Sequence, residues 1–491
     1  MFFAISGFVF HFFMLVSSSS ASLAVDEPYA DHVCARIASS ISSSSGVYFP
    51  GDALYDKGVF HWANFTTQAA KCVVEPGIPG DVGIILGIVG KTRTRFAVKG
   101  GGHAVNPGFS SSTGVQISMS RFSDVVYNPR HQTAEIGAGL IWDDVYAVLE
   151  PYGVNVVGGR TSGVGVAGFT LGGGYSWKTN QYGLTIDTVT AFELVKPDGN
   201  VVRVTKASDP GLFFGLKGGF NNFGIVTKFT LRTFPQTQVW GGSIATDSQH
   251  IAEVMAATAA FSSKVTDPKA AMINQYVYVH PAGQNSLSLF YDGPTPPPGI
   301  FDDFLAIPSV AKDVSTRSFL SLIQGFNTQG MPPNIRVTGT ATSVLALTPS
   351  FLAAVLNQTN YWGAKLAPKS GIIAAVGIQS FLPSIYSHNS DHTAYPPMRS
   401  KGFLPLDIAF EWTNEGFDGD FHDAARAMGK ALLDAAKCEG QDVEGALMYP
   451  NYAIFGTPLE DIYGRHLGKL RNLKAKVDPG NVMGLTGGWR F

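Results

Sequence analysis

Two glycine-rich runs are places where backbone rather than side chain would meet a ligand. The first is Lys99-Gly100-Gly101-Gly102-His103-Ala104. Three glycines in a row, following the strand-like Phe96-Ala97-Val98, can form a concave turn whose N–H groups converge on an anion such as a pyrophosphate. No Gly-Lys-Ser/Thr follows, so this is not the lysine-bearing phosphate loop, and the spacing and following helix of a dinucleotide fingerprint are absent. His103 at the rim suits a base, a metal ligand or a nucleophile. A flexible loop with an incidental histidine fits this segment, taken alone, equally well. The second run, from Gly158 to Tyr175, includes Thr161, Ser162, Val164, Gly165, Gly168, Gly172, Gly173 and Gly174 and is nearly all small residues. Such bare backbone allows close approach of a flat, polar ligand, or else a tightly packed interior turn. Together the two runs read as two walls of one cofactor site.

The elements that must hold these runs are short. Cys72 to Glu75, Gly114 to Ser118 and Thr133 to Gly137 read as strands, and Pro79 to Gly90 and Trp142 to Glu150 as helices. Val189 to Lys196 and Val201 to Thr205 read as a hairpin turning at Asp198-Gly199. From Gly241 to Lys437, strand-like stretches (272–279, 286–291, 372–379, 406–411) alternate with helical ones (251–262, 349–356, 422–436). This reads as a second unit, an antiparallel sheet covered by helices. The tail carries a helix over 459–476, ended by Asp478-Pro479-Gly480. Residues 39–45 read as a flexible, serine-rich lead-in. The fold class expected is α+β in two domains.

Length and composition agree. A chain of 491 residues with 45% hydrophobic and 15% charged residues can bury two cores. A net charge of −2 without a basic stripe gives no reason to expect nucleic acid. Met1 to Val16 is nearly all apolar and small residues follow to Ala24, which reads as a signal peptide over 1–22, although no Lys or Arg precedes the apolar core. An uncleaved anchor helix is the alternative. Secretion permits a disulfide, and of Cys34, Cys72 and Cys438 the first two are the expected pair. Asn64 and Asn357 head N-glycosylation sequons.

The ordered set of motifs resembles the berberine bridge enzyme-like branch of the vanillyl alcohol oxidase superfamily, with its PCMH-type FAD-binding domain, in particular fungal secreted members. The matching segments are Val98 to His103, Gly163 to Tyr175, Asn180 to Leu184, Asp209 to Gly219, Asn222 to Thr227, Tyr449-Pro450-Asn451-Tyr452 and Val477 to Met483. The resemblance implies an FAD domain over 30–238 (core about 66–236), a substrate domain over 239–439, and a segment 440–491 that returns to the FAD domain. It implies that Lys99 to Ala104 cradles the FAD pyrophosphate and that His103 is bonded to the flavin. It also implies that residues 161–175, Ile225, Val226 and Asn481 line the cofactor, with Asn222 beside them.

Where many relatives attach the flavin a second time through a cysteine, this chain has Thr161, so attachment through His103 alone is expected. Val164 stands where a small residue accompanies use of O₂, which favours an oxidase that forms H₂O₂ from a small organic substrate such as a secondary metabolite or alcohol. The alternatives are a dehydrogenase or oxidative cyclase, an oligosaccharide oxidase and a non-catalytic FAD-fold binding protein. Tyr449, Asn451 and Glu411 are the substrate-side candidates. Tyr449 would need a nearby cation to act as a base. Gln379 reads more readily as part of a solvated strand face. No stable membrane association is expected after signal cleavage.

Overall fold

The computed structural model describes residues 28–326, 331–332, 334–389 and 392–491. The segment read as a signal peptide lies outside the described residues.

Hydrophobic alternation and tight glycine turns build three main sheets. The first holds β1 (Gly46–Tyr48), β2 (Cys72–Glu75), β3 (Phe96–Lys99) and β4 (Val115–Ser118), in the order β1-β2-β4-β3, with β4 parallel to both β2 and β3. The disulfide Cys34–Cys72 ties the helix Pro28–Ser40 to β2. Cys438, the third cysteine, is exposed at the end of the helix Asp418–Cys438.

The second sheet contains β5 (Val125–Asn128) and β6 (Thr133–Gly137). After β7 (Val154–Asn155) it continues through β8 (Val189–Val195), β9 (Val201–Thr205) and β10 (Ile225–Arg232), in the order β5-β6-β10-β8-β9. Gly199, at φ 86°, makes the β8–β9 turn. Strand β11 (Phe234–Pro235) pairs with β7.

The third sheet is antiparallel and holds β12 (Val239–Thr246), β13 (Ala270–Val279), β14 (Ala282–Tyr291), β15 (Ala311–Arg317), β16 (Arg336–Val344), β17 (Gly371–Ser380) and β18 (Leu404–Trp412). Their order is β15-β12-β14-β13-β17-β18-β16. The helices Ile251–Lys264, Pro349–Leu366 and Asp418–Cys438 bury apolar stripes against one face of it. The other face is turned to the cavity described below. The α+β architecture is as expected.

Two local expectations are corrected. The serine-rich stretch 39–45 is anchored rather than loose: Ser42 and Ser45 donate their hydroxyls to the Asp81 carboxylate at 2.6 and 2.5 Å, and Gly77 N–H donates to Ser45. The tail helix over 459–476 is two helices, Leu459–Tyr463 and Leu467–Val477. The break is at Gly464, whose φ of 43° departs from the helix. Among the described residues no helix is long and apolar enough to cross a membrane. Asn64 and Asn357 are both exposed.

Candidate functional site

A cavity of about 410 Å³ lies between the two smaller sheets and the open face of the seven-stranded one. Both glycine-rich runs reach it. Gly100, Gly101, Gly102, His103 and Ala104 line it from one side, and Thr161, Val164, Gly165 and Gly168 from the other. The runs touch each other, because a Cβ on Gly101 would fall 2.5 Å from the Gly165 Cα and a Cβ on Gly165 would fall 2.5 Å from the Gly101 nitrogen. Side chains are excluded there by backbone packed on backbone. Gly102 takes φ 70°, and its carbonyl accepts from Trp62 N–H. Ile225, Val226 and the tail residues Gly487, Gly488 and Trp489 complete this half.

His103 faces the cavity and stacks on Trp62, with ring centroids 4.5 Å apart and planes 14° apart. Its Nε2 is enclosed and has no hydrogen-bond partner. Burial lowers its pKa to about 4, so the ring is neutral at pH 7. A neutral imidazole whose Nε2 is uncommitted, at the lip of a side-chain-free cradle, is suited to act as a nucleophile.

The opposite wall carries polar groups from the seven-stranded sheet and the tail. Arg160, next to Thr161, donates from Nη1 to Gln379 Oε1 at 2.8 Å and from Nη2 to the Tyr452 hydroxyl oxygen at 2.8 Å. Gln379 Nε2 donates to the same Tyr452 oxygen at 3.1 Å. The Tyr452 oxygen thus accepts from two N–H donors, one of them cationic. Burial nonetheless raises its pKa, against the lowering effect of Arg160. Asp407, on β18, lines the cavity. Burial raises its pKa, opposed by the charge of Arg160. Gln275 and Ser288 also line this wall.

Several expected site residues stand elsewhere. Lys99 turns its ammonium to the carbonyls of Lys57 and Gly58 at 2.8 and 3.1 Å, and burial brings its pKa down to about 8; it braces the cradle from behind. Ser162 donates to Asp143 at 2.6 Å and pins the second run without lining the cavity. Gly172, Gly173 and Gly174 lie behind the cavity wall: a Cβ on Gly172 would strike Asn451, and one on Gly173 would press on Tyr395 and Tyr449. Tyr175 is buried and bonds the Tyr386 hydroxyl at 2.5 Å. Asn481, at φ 47°, accepts from Lys474 in a turn of the tail. Asn222 is buried and donates to the Trp489 carbonyl.

The substrate-side candidates divide. Tyr449 and Asn451 line the cavity, but the Tyr449 oxygen accepts from Gly174 N–H at 3.1 Å and Asn451 Nδ2 at 2.9 Å, and burial pushes its pKa up. The cation that a tyrosine base requires is bonded to Tyr452 instead. Glu411 is buried beyond the lining. Its Oε1 has no partner, and burial raises its pKa to about 7. Gln379 is not solvated; it is only 2% exposed and belongs to the cluster. Arg160, Asp407 and Tyr452 were not singled out from sequence. Signals for two of them were present: Tyr452 ends the quoted tail motif, and Asp407 is the one charge among the apolar residues of Leu404 to Phe410.

Residues 70–205 match the family model of an FAD binding domain. An uncharacterized FAD-linked oxidoreductase of Arthroderma benhamiae is 39% identical over 267 residues, covering 54% of this chain and 53% of that protein, so that match spans about half of its length. The FAD-dependent monooxygenase tpcD of Cochliobolus heterostrophus is 30% identical over 449 residues, covering 86% of this chain and 84% of that protein. Among solved structures, BBE-like 1 of Physcomitrella patens aligns with a TM-score of 0.76 at 21% identity, covering 92% of this chain and 97% of that one. Glucooligosaccharide oxidase of Acremonium strictum, which carries a 6-S-cysteinyl, 8α-N1-histidyl FAD, aligns with a TM-score of 0.74 at 18% identity, covering 92% and 97%. At these identities the two structures share the fold with this chain.

Proposed function

This chain belongs to the berberine bridge enzyme-like family of FAD-linked oxidoreductases, and from that premise we propose that it is a secreted oxidase of a small organic alcohol or amine. The observation that carries this reading is one cavity with a bare-backbone cradle and His103 on one wall and the Arg160–Tyr452–Gln379–Asp407 cluster on the other. Bound FAD would supply the acceptor for a hydride from the substrate C–H and pass the electrons to O₂ as H₂O₂. The chain's own residues do the rest. The glycines Gly100 to Gly102 and Gly165 would hold the pyrophosphate through their N–H groups. His103, neutral and with its Nε2 free of partners, would hold the flavin covalently. Thr161 has no thiol with which to make the second bond of the Acremonium enzyme, so the attachment is single.

The proton of the substrate O–H or N–H goes to the Tyr452–Asp407 pair. Arg160 and Gln379 fix the Tyr452 oxygen and oppose the cost of building negative charge on it in a buried site. Asp407, the ionisable neighbour of Tyr452 in the cavity lining, would take the proton on from the Tyr452 oxygen. Val164 leaves the cavity wall beside the second run small, which favours access by O₂.

The test is incubation of the flavin-loaded protein, under nitrogen and in air, with aromatic, allylic and sugar alcohols. Substrate-dependent bleaching under nitrogen, and one H₂O₂ per substrate consumed in air, are expected. Bleaching without peroxide in air would assign a dehydrogenase. Substrate oxygenation in place of peroxide would align the chain with the monooxygenases.

A further inference from the structure

Gly377 is a glycine that neither backbone nor packing explains. It sits inside β17, in the interior of the seven-stranded sheet, where glycine is less favourable than alanine. Its φ is not in the left-handed region. A Cβ there would meet only the Asp407 Cβ at 3.5 Å, the Asp407 carbonyl at 3.6 Å and the Gln275 Cγ at 3.8 Å, all ordinary contacts. By contrast, a Cβ on Gly339 would lie 2.9 Å from the Ile408 carbonyl, so packing accounts for that glycine.

What remains at Gly377 is the space above it. In register, Gly377 lies between Asp407 of β18 and Gln275 of β13, and all three line the cavity. Ala409, two residues along β18 on the same face, extends the low floor, and Gln379, two along β17, leads to Tyr452. Trp177 and Phe326 add apolar wall.

We infer that Gly377 is a specificity-determining residue: it keeps a flat slot beside Asp407 in which a planar fused-ring substrate lies face-down on the sheet, presenting its hydroxyl to the Asp407–Tyr452 pair. This rests on the function proposed above and names the substrate class of the same site. A methyl at position 377 lifts a planar ligand off the floor by about one C–C bond, ~1.5 Å. A non-planar sugar gains nothing from the slot.

The experiment titrates the flavin-loaded protein with 2-naphthol and with cellobiose, reading perturbation of the flavin absorbance. Flavin content and Tm are recorded for each variant. Saturable perturbation by 2-naphthol but not cellobiose is expected for the parent. Binding about tenfold weaker is expected for Gly377→Ala and no perturbation for Gly377→Val, with flavin content unchanged. Should Gly377→Val fail to fold, Gly377→Ala decides alone. Unchanged 2-naphthol affinity in the alanine variant, perturbation by cellobiose in place of 2-naphthol, or perturbation by neither would overturn the inference. A protein without flavin, or one whose flavin reduction ignores loss of the Tyr452 hydroxyl, would instead count against the function proposed above.

Discussion

Tyr452→Phe removes one oxygen and leaves the ring, so the edge-on contact with Tyr449 at 4.8 Å is kept. Two hydrogen bonds go, from Arg160 Nη2 at 2.8 Å and from Gln379 Nε2 at 3.1 Å, while the Arg160 Nη1–Gln379 Oε1 bond survives. Loss of the charge-assisted bond costs about 1.5–3 kcal/mol of stability, less whatever a cavity water recovers. Loss of the proton-accepting oxygen costs far more in rate: about 10²- to 10⁴-fold, or roughly 3–5 kcal/mol of barrier. The assay is anaerobic stopped-flow reduction of the bound flavin by the best substrate of the panel, followed from pH 6 to 9. Because burial raises the pKa of both Tyr452 and Asp407, the parent rate should climb with pH as the pair becomes able to accept a proton, and the variant should be slow and flatter. Tyr449→Phe is the control; its oxygen only accepts from Gly174 N–H and Asn451, so it should lose stability and little rate. A Tyr452→Phe rate within about threefold of the parent, under 1 kcal/mol, would refute the assignment of the proton acceptor.

Gly101→Ala places a methyl 2.5 Å from the Gly165 Cα, where only backbone can yield; a stability loss of about 1–3 kcal/mol and loss of flavin retention are expected. Gly168→Ala, inside the helix Val166–Leu171 and meeting nothing within 4 Å, should leave Tm no lower and raise it slightly. Circular dichroism melts and the ratio of flavin to protein absorbance check both. Glu411, whose pKa rises from 4.5 unfolded to about 7 folded, binds its proton more tightly in the native state. Its contribution to stability is therefore full below about pH 4.5 and fades as the pH rises through 7, by up to about 3 kcal/mol. Glu411→Gln should flatten denaturant-measured stability across that window, and an unchanged slope would contradict the burial argument.

The legible parts of the molecule were those set by local chemistry. Alternation and the Asp198-Gly199 turn gave β8 and β9, and the bareness of 100–102 and 158–174 marked two walls of one site. What was hidden depended on contacts between distant residues. Arg160 meets Tyr452 across 292 residues and Gln379 across 219, and no local pattern announces such meetings. Tyr449 and Tyr452 share one motif, and only the position of the guanidinium separates the structural tyrosine from the one poised for chemistry. Gly172 to Gly174 look like cofactor backbone in sequence, yet serve to seat Asn451 and Tyr449. The serine-rich lead-in looked loose because its anchor, Asp81, lies in another helix.

His103 as the tether of the flavin is the most direct target for measurement. Acid-denature the purified protein, digest it and weigh the peptide that contains His103. That peptide should be yellow and heavier by one FAD, with the peptide holding Thr161 unmodified. A His103 peptide of unmodified mass, with the yellow colour free in the supernatant, would contradict it.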